Sequence, residues 1–194
     1  MKMNRSFLLT VFVALSVFWF ATNSPADTET PEYKVIRAED KFELRDYPAL
    51  SLATSPMEAD GVSGGFGNLF RFITGKNESK EKIEMTSPVL ISNTTENKTM
   101  SFIMPQATVS KGVPKPAGDS VALTNMPAAR FAVLRFPGGR NDENEKKAIA
   151  ELRAWLTSQK LAGKGEPLFA YYDPPWTPIP MRRNEVMICI EKHS

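Results

Sequence analysis

Residues 61–73, GVSGGFGNLFRFI, contain the pattern on which the fold prediction rests. The glycine-rich start, GVSGG, interrupts a strand-like stretch that precedes it. Apolar side chains then recur at the i, i+3, i+4 and i+7 spacing of an amphipathic helix: Phe66, Leu69, Phe70 and Ile73. Gly75 is a suitable stop. The stretch therefore predicts a glycine break followed by a short helix over residues 66–73.

Strand-like segments flank this helix on both sides. Before it, apolar residues around the charged turn 38–41 (AEDK) predict a hairpin, and residues 49–58 continue as a third strand. After it, residues 83–92 and 99–105 are predicted to form two strands across a polar turn. A proline-rich connection over residues 111–119 then leads into the second half of the chain.

The second half repeats the same order of elements. Residues 121–126 and 130–136 are predicted strands, GGRN is a break, and a second helix ends near Gly163. Asp142 and Glu145 resemble a capping box at the start of this helix. Its apolar face comprises Ala148, Ile149, Leu152, Trp155 and Leu156. Residues 167–172 and 185–191 are the last predicted strands.

Both halves thus read strand, glycine break, helix, strand, strand, which predicts a duplicated β-α-β-β unit. Neither helix is long enough to support a parallel sheet rich in crossovers. The predicted class is α+β, with a curved antiparallel sheet or an open barrel and two helices packed against it.

The N-terminus has the order of a secretory signal. Lys2 and Arg5 precede an apolar run over residues 7–21, and small residues follow at Ser24 and Ala26. We expect cleavage after Ala26; the alternative is an uncleaved anchor, although the run is shorter than the roughly 20 residues of a spanning helix. The chain is therefore divided into a signal peptide, 1–26, and one domain, 27–194, exported to the periplasm or the extracellular space.

Charge argues against a nucleic-acid partner. Without Lys2 and Arg5, the 24 basic residues become 22, which equals the 22 acidic residues. A surface that follows phosphates needs an excess of positive charge. We expect no nucleic-acid partner, no transmembrane segment in the mature chain and a monomer.

The residues of common catalytic sites are scarce. Cys189 is the single cysteine and lies in an apolar, strand-like run, and His193 is the single histidine, one residue from the end. These residues support no catalytic triad and no histidine-rich metal site. The prediction is a non-enzymatic protein; for an enzyme, Glu84 and Glu185 are the acid/base candidates.

Two longer stretches resemble signatures of the SOUL heme-binding family. They are residues 66–90, FGNLFRFITGKNESKEKIEMTSPVL, and residues 173–186, DPPWTPIPMRRNEV. Further landmarks are ETPEYKVI at 29–36, MSFIMP at 100–105 and VPKP at 113–116. The motifs occur in order, and the resemblance extends over nearly all of residues 29–191.

The resemblance implies a distorted antiparallel β-barrel with two flanking helices in pseudo-twofold duplication. It also implies non-covalent binding of heme or a related tetrapyrrole in an apolar cleft. That cleft would lie between the first helix and the proline-rich loop 171–183.

Nine site residues follow from the resemblance. They comprise apolar residues on the helix, a basic residue at its rim, and two apolar and two basic residues of the loop: Phe66, Leu69, Phe70, Ile73, Arg71, Trp176, Met181, Arg182 and Arg183. The arginines would pair with propionates, although one of Arg182 and Arg183 is expected to pair instead with Glu185 or Asp173. The alternative for the helical stripe is ordinary core packing.

The heme iron ligand stays open. Tyr171, Tyr172 and Met181 are candidates. At Ser63 and Thr177 the chain departs from family members that carry basic residues. Three other functions remain as alternatives: a general binding module for amphipathic small molecules, an enzyme on the same fold, or an interaction protein whose cleft is vestigial.

Overall fold

The computed structural model describes residues 28–57, 61–93 and 98–191. The predicted signal peptide and His193 lie outside these residues. The described strands are β1 (Lys34–Glu39), β2 (Phe42–Tyr47), β3 (Leu50–Pro56), β4 (Val89–Asn93), β5 (Lys98–Ile103), β6 (Ala122–Met126), β7 (Ala129–Phe136), β8 (Gly163–Tyr171) and β9 (Asn184–Ile190). The described helices are α1 (Gly61–Ile73), α2 (Gln106–Lys111) and α3 (Asp142–Ser158). The sequence predicts two helices, so α2 is additional. None of these helices combines the length and the apolar character that crossing a membrane requires.

The nine strands form one sheet in the order β1-β2-β7-β9-β8-β4-β5-β3-β6. Every pair of neighbouring strands is antiparallel. The α+β class is therefore confirmed. The predicted barrel is not confirmed: within the described part of the chain, β1 and β6 lie at opposite edges of an open sheet and do not pair with each other.

The strand order is the one expected of a duplicated unit. The first unit is β3-α1-β4-β5 and the second is β7-α3-β8-β9. In each unit the last strand lies between the other two, and the units meet where β4 pairs with β8. Because β4 and β8 are antiparallel, with Val89 opposite Tyr171, the segment before β4 lies beside the loop after β8.

Both faces of the sheet bury apolar side chains. Along β7, Ala132 and Leu134 belong to the larger cluster, which includes residues of α1 and α3. Phe131 and Val133 belong to a second cluster on the other face. This alternation follows from the two-residue period of a strand.

Helix α1 begins at Gly61, five residues before the predicted start. The glycines were expected to break the chain, but they lie inside the helix. At Gly65, a Cβ atom would come within 3.1 Å of the Met57 Cγ and 3.5 Å of the Met100 Cβ. Glycine therefore permits close packing of the helix on the sheet, which outweighs its low helix propensity.

Helix α3 is capped by Asn141 and not by the predicted pair of Asp142 and Glu145. The Asn141 side chain accepts a hydrogen bond of 2.9 Å from the backbone N–H of Asn144. Glu145 is buried and contacts residues of the sheet instead. The apolar face of the helix is as predicted, with Ala148, Leu152, Trp155 and Leu156 buried and Ile149 partly buried.

Asn141→Ala is expected to lower the free energy of unfolding by about 1 kcal/mol, because the first turn of α3 loses its side-chain cap. For a domain of this size, that corresponds to a melting temperature lower by about 2–4 °C. Thermal unfolding followed by circular dichroism tests this expectation. An unchanged melting temperature would contradict the assignment of Asn141 as the cap.

Candidate functional site

A cleft with a volume of about 650 Å³ opens beside α1. Its walls come from α1, from β4 and β5, from the loop after β8 and from the β7–α3 loop. The lining combines apolar and aromatic side chains with a few charged ones and includes Phe66, Phe70, Val89, Ile91, Met100, Arg140, Tyr171, Tyr172, Asp173, Trp176 and Arg182. This volume lies in the range of about 300–1,000 Å³ that is typical of small-molecule sites.

Helix α1 contributes two aromatic rings to the cleft. The rings of Phe66 and Phe70 are stacked, with centroids 5.9 Å apart and an angle of 14° between their planes. Phe66 also meets the edge of the buried Phe102 ring at 5.5 Å. Phe70 remains 49% exposed, which leaves its face available to a ligand.

Two predicted cleft residues of α1 belong to the core instead. Leu69 and Ile73 are buried in the large cluster and do not line the cleft. The apolar stripe is divided because α1 touches two environments: positions 66 and 70 face the cleft, whereas positions 69, 72 and 73 face the sheet. Sequence spacing alone does not separate the two faces.

Two further predicted residues, Arg71 and Met181, are not among the residues that line the cleft. Arg71 is exposed, and its guanidinium donates a hydrogen bond of 2.6 Å to the Asn68 side chain. Met181 is 74% exposed and is not part of the lining. The positions of Arg71 and Met181 support no role in the cleft, and that of Met181 supports no role as a heme iron ligand.

The proline-rich loop after β8 forms another wall of the cleft. Trp176 lines the cleft while 83% of the residue remains exposed. The Arg182 side chain donates a hydrogen bond of 2.8 Å to the Thr177 carbonyl and a second one to the Pro175 carbonyl. The Asp173 carboxylate accepts from the backbone N–H of Arg183. These bonds fix the loop, so Trp176 is presented on a braced backbone.

Arg183 points to a buried ionic cluster behind the loop. Its guanidinium donates hydrogen bonds of 3.0 Å and 2.7 Å to the Glu185 carboxylate and lies 3.9 Å from the centroid of the Tyr172 ring. The expectation that one loop arginine pairs with Glu185 is therefore confirmed. The predicted propionate role of Arg183 is not supported, because its donors serve Glu185.

Glu185 is the centre of this cluster and its side chain is 0% exposed. Arg45 donates two hydrogen bonds to it, of 2.7 Å and 3.0 Å, and the Tyr172 hydroxyl donates a third of 2.9 Å. Burial alone would raise the pKa of Glu185, but Arg45 and Arg183 lower it below its ordinary value. As an ionised carboxylate that is held in place, Glu185 is poorly suited to acid/base work at the cleft.

A second cluster joins the cleft to α3. The Tyr171 hydroxyl donates a hydrogen bond of 2.6 Å to the Glu145 carboxylate, which also accepts one of 2.9 Å from the Asn93 side chain. Arg140 lies 3.3 Å from the same carboxylate and 5.7 Å from the centroid of the Tyr171 ring. Burial and the bond to Glu145 raise the pKa of Tyr171, so this tyrosine stays protonated. Burial, with Glu185 nearby, likewise raises the pKa of Tyr172.

Several lining residues are not among those predicted from the sequence. The alternation of β4 could have indicated Val89 and Ile91, because Leu90 between them faces the other cluster. No local signal indicates Arg140. Its position depends on the pairing of β4 with β8, which brings the two halves of the chain together.

The family model described as SOUL heme-binding protein matches residues 28–189. The chain belongs to this family. A comparison with the sequences of curated proteins finds no match.

Among solved structures, this SOUL-family chain is similar to the crystal structure of the EcmrR C-terminal domain. The TM-score is 0.56 at 12% identity, over 83% of this chain and 99% of that one. It is also similar to EcmrR in a cryo-EM complex with DNA, with a TM-score of 0.56 at 12% identity, over 78% of this chain and 57% of that one. A hydrolase encoded by lin2189 from Listeria innocua has a TM-score of 0.55 at 10% identity, over 80% of this chain and 94% of that one. At such identities these likenesses show the fold alone.

The lining fits a tetrapyrrole in its general chemistry. A porphyrin ring is flat and apolar and needs aromatic and aliphatic walls, which Phe66, Phe70 and Trp176 supply. Its carboxylates need cations, and Arg140 and Arg182 are the arginines among the described lining residues. The hydroxyls of Tyr171 and Tyr172, two candidate iron ligands, are already bonded to Glu145 and Glu185.

Proposed function

We propose that this protein is an exported, non-enzymatic, monomeric binder of heme or a related tetrapyrrole in the cleft between α1 and the loop after β8. The observation that carries the proposal is the pair of aromatic walls. Phe66 and Phe70 of α1 and Trp176 of the loop after β8 line the same cleft of about 650 Å³. Membership of a heme-binding family supports the same ligand class.

The residues of the cleft would act by binding and orienting. The Phe66 and Phe70 rings would cover one part of the macrocycle, and Trp176, on its braced loop, another. Burying a ring against preformed walls stabilises a complex mainly by removing apolar surface from water. When bound, a heme would supply iron redox and ligand-binding chemistry, which belongs to the cofactor and not to these side chains.

The surroundings of the two acid/base candidates, Glu185 and Glu84, support the non-enzymatic part of the proposal. Glu185 is enclosed by Arg45, Arg183 and Tyr172. Glu84 is not among the residues that line the cleft. The export part rests on the basic and apolar order of residues 1–26.

Titration of the purified full chain with hemin tests the proposal. We expect saturable binding of one hemin per chain with a shifted Soret band. Phe70→Ala should weaken binding roughly tenfold, because it removes most of an aromatic contact worth about 1.5 kcal/mol or more. Val109→Ala is the matched control: Val109 is an exposed apolar residue of α2 outside the cleft, and its variant should bind like the wild type.

A second candidate function is the binding of other amphipathic molecules. It is favoured by the lack of histidine among the described lining residues and by the sulfur-containing side chains Met85 and Met100 in the wall. Unsaturable hemin binding that is the same in wild type and Phe70→Ala would reject the tetrapyrrole proposal. Displacement of a fluorescent apolar probe by amphipathic acids would then support the second candidate.

A further inference from the structure

Two arginines of the loop after β8, Arg182 and Arg183, already donate hydrogen bonds within the protein. Arg182 donates to the Thr177 and Pro175 carbonyls and so braces the loop. Arg183 donates to Glu185 with both its Nε and its Nη2. In both arginines the Nε–Nη2 edge, which is one of the edges that a carboxylate can bind with two hydrogen bonds, is therefore already used.

Arg140 differs from both. Its Nε is buried without a hydrogen-bond partner among the described residues. The Glu145 Oε1 atom lies 3.3 Å away, but the contact is an ion pair that lacks hydrogen-bond alignment. Arg140 makes no aligned hydrogen bond with a carboxylate or a carbonyl in the described parts of the chain. A partly buried guanidinium in this state is under-used, because charged donors normally find acceptors.

The surroundings explain why Glu145 does not satisfy Arg140. One oxygen of Glu145 accepts the Tyr171 hydroxyl at 2.6 Å, and the other accepts the Asn93 amide at 2.9 Å. Glu145 is therefore oriented by two neutral donors. It offsets part of the Arg140 charge through space without forming an aligned hydrogen bond to the guanidinium.

The loop that carries Arg140 is held in place. The Gly138 carbonyl accepts a hydrogen bond of 2.8 Å from the Asn184 side chain, and the Gly139 carbonyl accepts one of 2.9 Å from the Asn144 side chain. Gly138 has a φ of +107°, which disfavours other residues. The backbone before Arg140 is therefore fixed before any ligand arrives, which reduces the entropy that binding must overcome.

We propose that Arg140 is the anion-binding residue of the cleft and that it selects ligands with a carboxylate on an otherwise apolar, flat body. The inference rests on the proposed function, because it names the part of the tetrapyrrole that the cleft recognises. Arg140 lines the cleft, and its partly exposed guanidinium presents planar donors that match a carboxylate. The aromatic walls would then determine affinity, and Arg140 would determine the preference for acids and the orientation of the ring.

The test compares two porphyrins on the full chain. One is iron protoporphyrin IX, which carries two carboxylates; the other is its dimethyl ester, which has the same ring and iron but no acid. We expect the wild type to prefer the acid by about tenfold to a hundredfold, the range for a charge-assisted hydrogen bond. Arg140→Met should bind the acid about as weakly as the ester and leave the affinity for the ester unchanged. Arg140→Lys should keep part of the preference.

Arg182→Met is the matched control, since Arg182 also lines the cleft. The ratio of its affinities for the acid and for the ester should equal that of the wild type, even if the altered loop weakens the binding of both porphyrins. The inference would be overturned if Arg140→Met still preferred the acid to the ester, or if this variant bound both porphyrins more weakly by the same factor. Equal binding of both porphyrins by the wild type would overturn it while leaving the proposed function intact. Failure of the wild type to bind either porphyrin would overturn both.

Discussion

Glu185→Gln is expected to lower the free energy of unfolding by about 3–5 kcal/mol at neutral pH. The substitution removes the negative charge that compensates Arg45, which is buried with 2% of its surface exposed. Arg45 would keep its hydrogen bond of 2.7 Å to Glu43 but would lose the ionised Glu185 carboxylate, which accepts two of its hydrogen bonds. Urea denaturation followed by tryptophan fluorescence measures the change.

Glu43→Gln is the matched control for this variant. Glu43 bonds to the same arginine, but its side chain is partly exposed, so water can replace it. Exposed or partly exposed ion pairs contribute roughly 0–1 kcal/mol. Similar losses of stability in Glu43→Gln and Glu185→Gln would contradict the idea that Glu185 is the buried charge on which the cluster depends.

The same cluster gives stability a pH dependence. The folded-state pKa of Glu185 is lowered from its ordinary value of 4.5. Its contribution is therefore fully present above that ordinary value and is lost as the pH falls through the lower folded-state pKa. The stability difference between wild type and Glu185→Gln should be constant near neutral pH and should narrow in acid below about pH 4.

Phe72→Ala and Phe70→Ala are expected to differ strongly, although the two residues are neighbours on one helix. Phe72 is 1% exposed and packs in the large core cluster, so its truncation should cost about 3–5 kcal/mol. Phe70 lies in the cleft wall and is half-exposed, so its truncation should cost about 1 kcal/mol or less. Urea unfolding of both variants without ligand measures the difference.

The pair of phenylalanine variants separates packing from binding. Phe70→Ala should lose hemin affinity with little loss of stability, because its ring contributes mainly to the cleft. A loss of stability in Phe70→Ala as large as that in Phe72→Ala would mean that the wall is packed core and that the cleft is closed in solution. The proposed binding site would then be wrong.

The elements and their order follow from local patterns in the sequence. Alternating apolar residues predict the strands, and the stripe of Ala148, Leu152, Trp155 and Leu156 predicts the buried face of α3. The repeated order of elements predicts the duplicated unit, which the strand order supports. These features depend on residues that are close in the chain, so their periodicity is visible without coordinates.

Predictions that required knowledge of neighbours were less accurate. The glycines of GVSGG at 61–65 were expected to break the chain, but they lie in α1, where Gly65 packs closely on Met57 and Met100. Glu145 resembled a cap, but the β8 strand brings Tyr171 within 2.6 Å of it. In both cases a contact between a helix and another part of the fold outweighed the conformational preference of the residue itself.

Local patterns in the sequence are sufficient to predict the class of the fold, the duplicated order of elements, the family resemblance and the two segments that border the cleft. The folded chain is needed to tell which side chains of those segments face the cleft: Phe66 and Phe70 do, whereas Leu69 and Ile73 face the core. It is also needed to show that Arg183 donates to Glu185 and that the Arg140 Nε is buried without a partner among the described residues. The role of a side chain depends on the partners that distant strands bring to it, and the β4–β8 pairing that joins the two halves leaves no local trace in the sequence.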